Sequence, residues 1–125
     1  MRARLIAKTG VIALGVATAL AVPVATEPAY ANSCSHAHSN RDPNSGSFIE
    51  NGTNIRRGPH YPPGLSCASN GQGQAGQGAD FHCFTQNGDE FRGWTTWTWV
   101  RNTSTGVQGW VNDALLSGFG SFYLC

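Results

Sequence analysis

Lysine is almost missing from this sequence: Lys8 stands alone, and from residue 32 onward five arginines face six carboxylates. A chain segment with that balance offers no electrostatic footing for nucleic acid. It also lacks any run of like charge that would suit a membrane surface. No Cys-x-x-Cys pair occurs among Cys34, Cys67, Cys83 and Cys125, which argues against a structural zinc site. The residues therefore point to no metal and no cofactor. Convincing helical periodicity is absent throughout. Long apolar runs are scarce too: the single one, residues 11–24, is interrupted by Gly15 and Pro23 and falls short of the ~20 residues a membrane span requires.

What stands at the start of the chain is a leader. Arg2, Arg4 and Lys8 precede the apolar run, and Ala29-Tyr30-Ala31 has the small-x-small form of a signal peptidase site. The expected organisation is a signal peptide over 1–31, a polar arm over 32–47 and one small domain over 48–125. Asn32 is the expected new N-terminus, and the product is secreted and extracellular, in solution or associated with the cell wall, with no membrane attachment after cleavage. All four cysteines lie beyond the cleavage point, so two disulfides are expected in an oxidising compartment. A domain this small buries only about 60–65% of its unfolded surface and gains from covalent support. The expected pairs are Cys67 with Cys83, linking neighbouring strands across the glycine-rich stretch, and Cys34 with Cys125, joining two termini that small barrels commonly bring together.

The aromatic centre of the sequence is residues 94–116, which hold all four tryptophans. Threonine, valine and tryptophan suit a pleated surface, so 95–101 reads as a strand. Its alternation puts Thr96, Thr98 and Val100 on one face and Trp97, Trp99 and Arg101 on the other. Asn102-Thr103-Ser104-Thr105-Gly106 supplies turn chemistry, and 107–111 returns antiparallel, bringing Trp110 near Trp97 and Trp99. Asn112 caps a single helical or 3₁₀ turn that drops Leu115 and Leu116 into the core.

Upstream, residues 32–47 are too polar to fold alone and read as an arm held through Cys34. His36 and His38 in it form a His-x-His pair with no third ligand nearby, read as exposed polar side chains. Residues 53–56 and 65–69 are short strands, the second ended by Asn70-Gly71, and 79–85 alternates as a third. The run 71–78, Gly-Gln-Gly-Gln-Ala-Gly-Gln-Gly, reads as a flexible connection. The tail 119–125 returns as an edge strand. The fold class is all-β: a small barrel of about five to six short antiparallel strands stapled by two disulfides.

Asn54-Ile55-Arg56-Arg57-Gly58-Pro59, Trp97-Thr98-Trp99-Val100, Gly109-Trp110-Val111 and the closing Asp113-Ala114-Leu115-Leu116 together resemble the bacterial SH3-like (SH3b) domain. The cysteine-bearing form is similar to small exported actinobacterial proteins that consist of little besides this domain. The resemblance covers residues 53–116 and departs from the family pattern in the Gly-Gln run. It implies an SH3-like barrel used outside the cell to bind cell-wall peptides or to accompany a wall hydrolase, and no catalytic activity of its own. It matches Arg56, Gly58, Pro59, Gly109 and Trp110 to architectural positions, and Trp97 to the aromatic that lines a peptide groove in related eukaryotic domains.

The expected function is accordingly a secreted, monomeric, non-catalytic binding module. Its partner is a cell-wall peptide or an extracellular protein, taken on an aromatic face drawn from Trp94, Trp97 and Trp99, with Tyr61 in the proline-rich loop 60–64 as a further contact. Two alternatives stay open. A disulfide-bonded inhibitor or toxin-like protein would act through the loops at 60–64 and 71–78. A small ribonuclease-type hydrolase would draw on Glu50, Glu90, His60 and His82, whose residue types suit acid-base work but whose spacing matches no known constellation.

Overall fold

The computed structural model describes residues 33–125; the expected leader and its cleavage point lie outside the described residues. Six antiparallel strands form one open sheet: β1 (Ser45–Ser47), β2 (Thr53–Arg56), β3 (Ser69–Gly73), β4 (Gly78–Thr85), β5 (Trp97–Asn102) and β6 (Gln108–Asn112). Their order across the sheet is β1-β4-β5-β6-β2-β3. The all-β reading holds, and the Trp hairpin is at its centre. Asn102 organises the turn between β5 and β6, its side-chain Oδ1 accepting from the Ser104 amide at 2.8 Å and its carbonyl from the Gly106 amide at 2.7 Å. Gly106 occupies the left-handed region at φ 82, where a side chain would be strained.

Register decides what each face does. Thr98 sits opposite Val111 and Val100 opposite Gly109; Val100 and Val111 join Phe48, Ile55, Ala79, Phe81 and Leu116 in the core, and Thr98 is fully buried. Trp97 sits opposite Asn112 and Trp99 opposite Trp110, which puts the indoles on the outer face. Asn112 caps the 3₁₀ turn Asp113–Leu115 through Oδ1, which accepts from the Ala114 amide at 2.8 Å. Phe48, just after β1, bridges to Leu116 and donates its amide to Gln77 at 3.0 Å. Its ring lies where a Cβ on Gly73 would come within 2.5 Å. One phenylalanine therefore packs between elements from both edges of the sheet.

That packing corrects the reading of the glycine-rich run. Residues 71–73 belong to β3, which pairs with β2, and the connection to β4 is only 74–77. Gly73 is placed there for close approach to the Phe48 ring, and Gly71 lies against the Val107 side chain. The expected strand at 65–69 accordingly moves to Ser69–Gly73, with Asn70-Gly71 inside it instead of ending it.

The disulfide connectivity also differs: the bridges are Cys34–Cys67 and Cys83–Cys125, with Cα separations of 5.6 and 4.9 Å. The expected Cys67–Cys83 pair assumed that the strands flanking the glycine run are neighbours. β4 instead pairs with β1 and β5, while β3 lies at the opposite edge of the sheet. Cys125 reaches Cys83 because the tail lies along the end of β4, where Phe84 donates to the Tyr123 carbonyl at 2.8 Å and accepts from the Cys125 amide at 2.9 Å.

The tail is not the edge strand expected over 119–125. A 3₁₀ turn, Ser117–Phe119, opens it and a single bridge, Phe84 to Leu124, follows. Besides the backbone bonds to Phe84, Ser121 ties it to buried side chains: the Ser121 amide donates to Thr98 Oγ1 at 3.0 Å, which in turn donates to Asp113 Oδ1 at 2.6 Å, and Ser121 Oγ donates to Asp42 Oδ2 at 2.7 Å. The arm is likewise better held than expected. Its last residues form β1, and the amides of Arg41 and Asp42 both donate to the His82 carbonyl, at 3.0 and 2.9 Å.

Candidate functional site

The outer face of the hairpin is divided in two. At the Trp97 and Asn112 end, a cleft of about 220 Å³ opens between the turn 50–54, Arg56, Tyr61, Phe91 and the β5–β6 pair. Three aromatic rings meet there: Tyr61 lies 6.2 Å from Phe91 at a near-perpendicular 78° and 6.1 Å from Trp97. The Arg56 guanidinium is 5.9 Å from the Tyr61 ring, within reach of a cation–π contact, and Arg56 Nη1 donates to the Cys67 carbonyl at 3.0 Å.

The segment 89–90 fixes these rings. Asp89 Oδ1 is 2.8 Å from His60 Nδ1, and Asp89 Oδ2 accepts from the Tyr61 amide at 2.9 Å. The Asp89 carbonyl accepts from the Trp97 indole at 2.8 Å, and the Glu90 carbonyl accepts from the Tyr61 hydroxyl at 2.7 Å. Two residues of one loop thus orient two of the three rings. Across the cleft, Arg92 pairs with Glu50 through both terminal guanidinium nitrogens, tying the turn 50–54 to the loop that carries Phe91. The hydrogen bond from Arg92 holds the Glu50 carboxyl below its ordinary range and, reciprocally, raises Arg92.

No family model, curated protein or solved structure matches the chain.

Of the residues singled out in the sequence, Tyr61, Trp97 and Arg56 come together in the cleft wall. Trp97 is nevertheless only 4% exposed, so it offers an edge rather than a free face. Trp99 and Trp110 lie apart from the cleft, ring to ring at 5.6 Å. The arm packs against both, leaving Trp99 half-buried and Trp110 fully buried: His38 stacks on Trp99 at 3.6 Å and 7°, and His36 meets Trp110 edge-on at 6.0 Å. The expectation of an exposed side chain is corrected for His36, which is 7% exposed; His38 is exposed as expected, although its ring stacks on Trp99. Burial against the indole, with repulsion from His82 second, lowers the His38 pKa below its ordinary 6.5. Trp94 stacks on Phe119 at 4.5 Å instead of facing the cleft.

Gly58 and Pro59 are buried, and a Cβ on Gly58 would fall 2.6 Å from Cys67 Sγ. One on Gly109 would fall 2.5 Å from the Arg56 carbonyl, so both glycines serve close packing. Sequence reasoning did not single out Phe91 or Asp89. An aromatic between the turn glycines Gly88 and Gly93 was the available signal for Phe91, whereas the clustering around Asp89 exists only in three dimensions.

Proposed function

We propose that the protein is an exported, non-catalytic binding module of SH3-like architecture that takes a peptide of the cell wall in the cleft between Tyr61, Phe91 and Trp97. The observation that carries this reading is the convergence of three aromatic rings with Arg56 and the side chain of Asn54 in one open groove. A peptide presents carbonyls to the guanidinium and amide donors and side chains to the rings. A binding role is further supported by His60, which is 3% exposed and whose partner Asp89 orients the loop; an imidazole so enclosed is poorly placed for proton transfer to a substrate. Export is supported by the leader-like residues 1–31 and by the closure of all four cysteines in two disulfides. Among the described residues no helix is long and apolar enough to cross a membrane.

The test is co-sedimentation of the purified, disulfide-bonded protein with purified cell walls. Tyr61→Ala and Phe91→Ala should each weaken binding roughly tenfold or more, as aromatic anchors do, while the protein remains folded by circular dichroism. Wall binding unchanged in both folded variants would contradict the proposal.

A further inference from the structure

The arm crossing the outer face of β5 and β6 is pinned at both ends, by Cys34–Cys67 at one and by the two amides on the His82 carbonyl at the other. Between these pins it does not lie flush on the sheet. A hollow of about 200 Å³ remains, bounded by His36 and His38 of the arm, by Arg57 and by the indoles of Trp99 and Trp110. Arg57 follows β2 directly, and its amide donates to the Ala68 carbonyl at 2.9 Å, which fixes the root of its side chain at the edge of the hollow.

The chemistry of this wall is one-sided. It holds a guanidinium and two imidazoles over an indole floor, and no carboxylate. Arg57 differs from the arginines that have structural duties: Arg41 donates to the Leu124 carbonyl, Arg56 to the Cys67 carbonyl, and Arg92 pairs with Glu50. Its own guanidinium makes no hydrogen bond or ion pair with any described residue. Three nitrogen-bearing side chains thus converge on one space in a chain poor in cations, and the largest of them is uncommitted.

We propose that this hollow is a second binding site, for a small oxyanion carried on a flat body. The planar fork of Arg57 would grip two oxygens of a carboxylate or phosphate. An imidazole N–H supplies a further donor, and the flat body lies against the partly exposed ring of Trp99. The stack already present, His38 on Trp99 at 3.6 Å and 7°, shows the geometry with which this indole takes a planar partner. The proposal does not depend on the peptide cleft, which shares none of these residues.

The experiment is a titration of the purified, disulfide-bonded protein with benzoate, phenyl phosphate and the uncharged control benzyl alcohol. It is followed by tryptophan fluorescence and by NMR shifts of His38 and of the Trp99 indole N–H. The expected result is saturable binding of one or both anions, with benzyl alcohol at least tenfold weaker and the shifts centred on His38 and Trp99. Arg57→Gln should weaken the anion by roughly tenfold or more with the melting temperature unchanged, because the guanidinium bonds no described residue. If benzoate discriminates over phenyl phosphate the anion is a carboxylate, and the reverse order makes it a phosphate. Equal affinity for benzyl alcohol, an unaffected Arg57→Gln variant, or shifts centred on Tyr61 and Trp97 would overturn the proposal.

Discussion

Replacing Asp89 with alanine should destabilise the domain more than its partly exposed position suggests. The carboxylate is 32% exposed on its side chain, but His60 beneath it is only 4% exposed on its own. The substitution removes two hydrogen bonds, from His60 Nδ1 and from the Tyr61 amide. Hydrogen bonds to a charged group contribute about 1.5–3 kcal/mol each when buried. Solvent screening at this site argues for the low end or less, giving a loss of about 2–3 kcal/mol for the pair. The cost includes a buried imidazole left with no partner at either nitrogen, since His60 Nε2 has no hydrogen bond in the native structure. For a domain of this size that corresponds to a fall in melting temperature of roughly 10–20 °C. Asp89→Asn, whose Oδ1 can still accept one of the two bonds, should lose about half as much. The assay is thermal unfolding of the oxidised proteins by circular dichroism, with the Trp97 indole N–H followed by NMR. That proton donates to the residue-89 carbonyl, which survives either substitution. An Asp89→Ala melt within a few degrees of wild type would refute the reasoning.

Peptide mapping without reduction should recover only Cys34–Cys67 and Cys83–Cys125. Given sequence separations of 33 and 42, removing either pair by double alanine substitution should cost about 3.5–4 kcal/mol if chain entropy dominates. An NMR titration should place the His38 midpoint below 6.5, and His82→Ala should raise it by removing the repulsion that adds to burial. Because the folded value is depressed, the unfolded chain protonates first as pH falls. The stability difference between wild type and His38→Gln should therefore hold above pH 6.5 and shrink below it; a constant difference across that range would count against the stack.

Much of the architecture was readable from side-chain pattern alone. The strand Thr53–Arg56 and the alternation of Thr98 and Val100 against Trp97 and Trp99 follow from the two-residue period of strand side chains, although Trp97 is buried too, and the Asn112 cap follows from its chemistry. The errors share a physical origin. β3 buries almost nothing of its own, so Ser69–Gly73 carries no hydrophobic signal and is set by its pairing with β2 and by the Phe48 ring. The cysteine pairs depended on strand order, and β3 and β4 are consecutive in sequence without being neighbours in the sheet. The tail satisfies its backbone through Thr98 and through Tyr123–Phe84 contacts that no local pattern announces.

The cleft was half legible. Tyr61, Trp97 and Arg56 stood out as aromatic or motif residues, but their convergence depends on Asp89 and Glu90, two loop residues whose importance lies in carbonyl and carboxylate positions. Trp99 was legible as an aromatic on the outer face of its strand, whereas the stacking of His38 from the arm upon it was not.

The central claim, that the cleft at Tyr61 receives a wall peptide, is tested most directly by mapping chemical-shift changes on the folded, oxidised protein as a soluble peptide fragment of the cell wall is added. Saturable changes are expected, largest at Tyr61, Phe91, the Trp97 indole N–H and the Asn54 side-chain amide. Changes centred on Trp99, His38 and Arg57, or no saturable change at the highest peptide concentration, would contradict it.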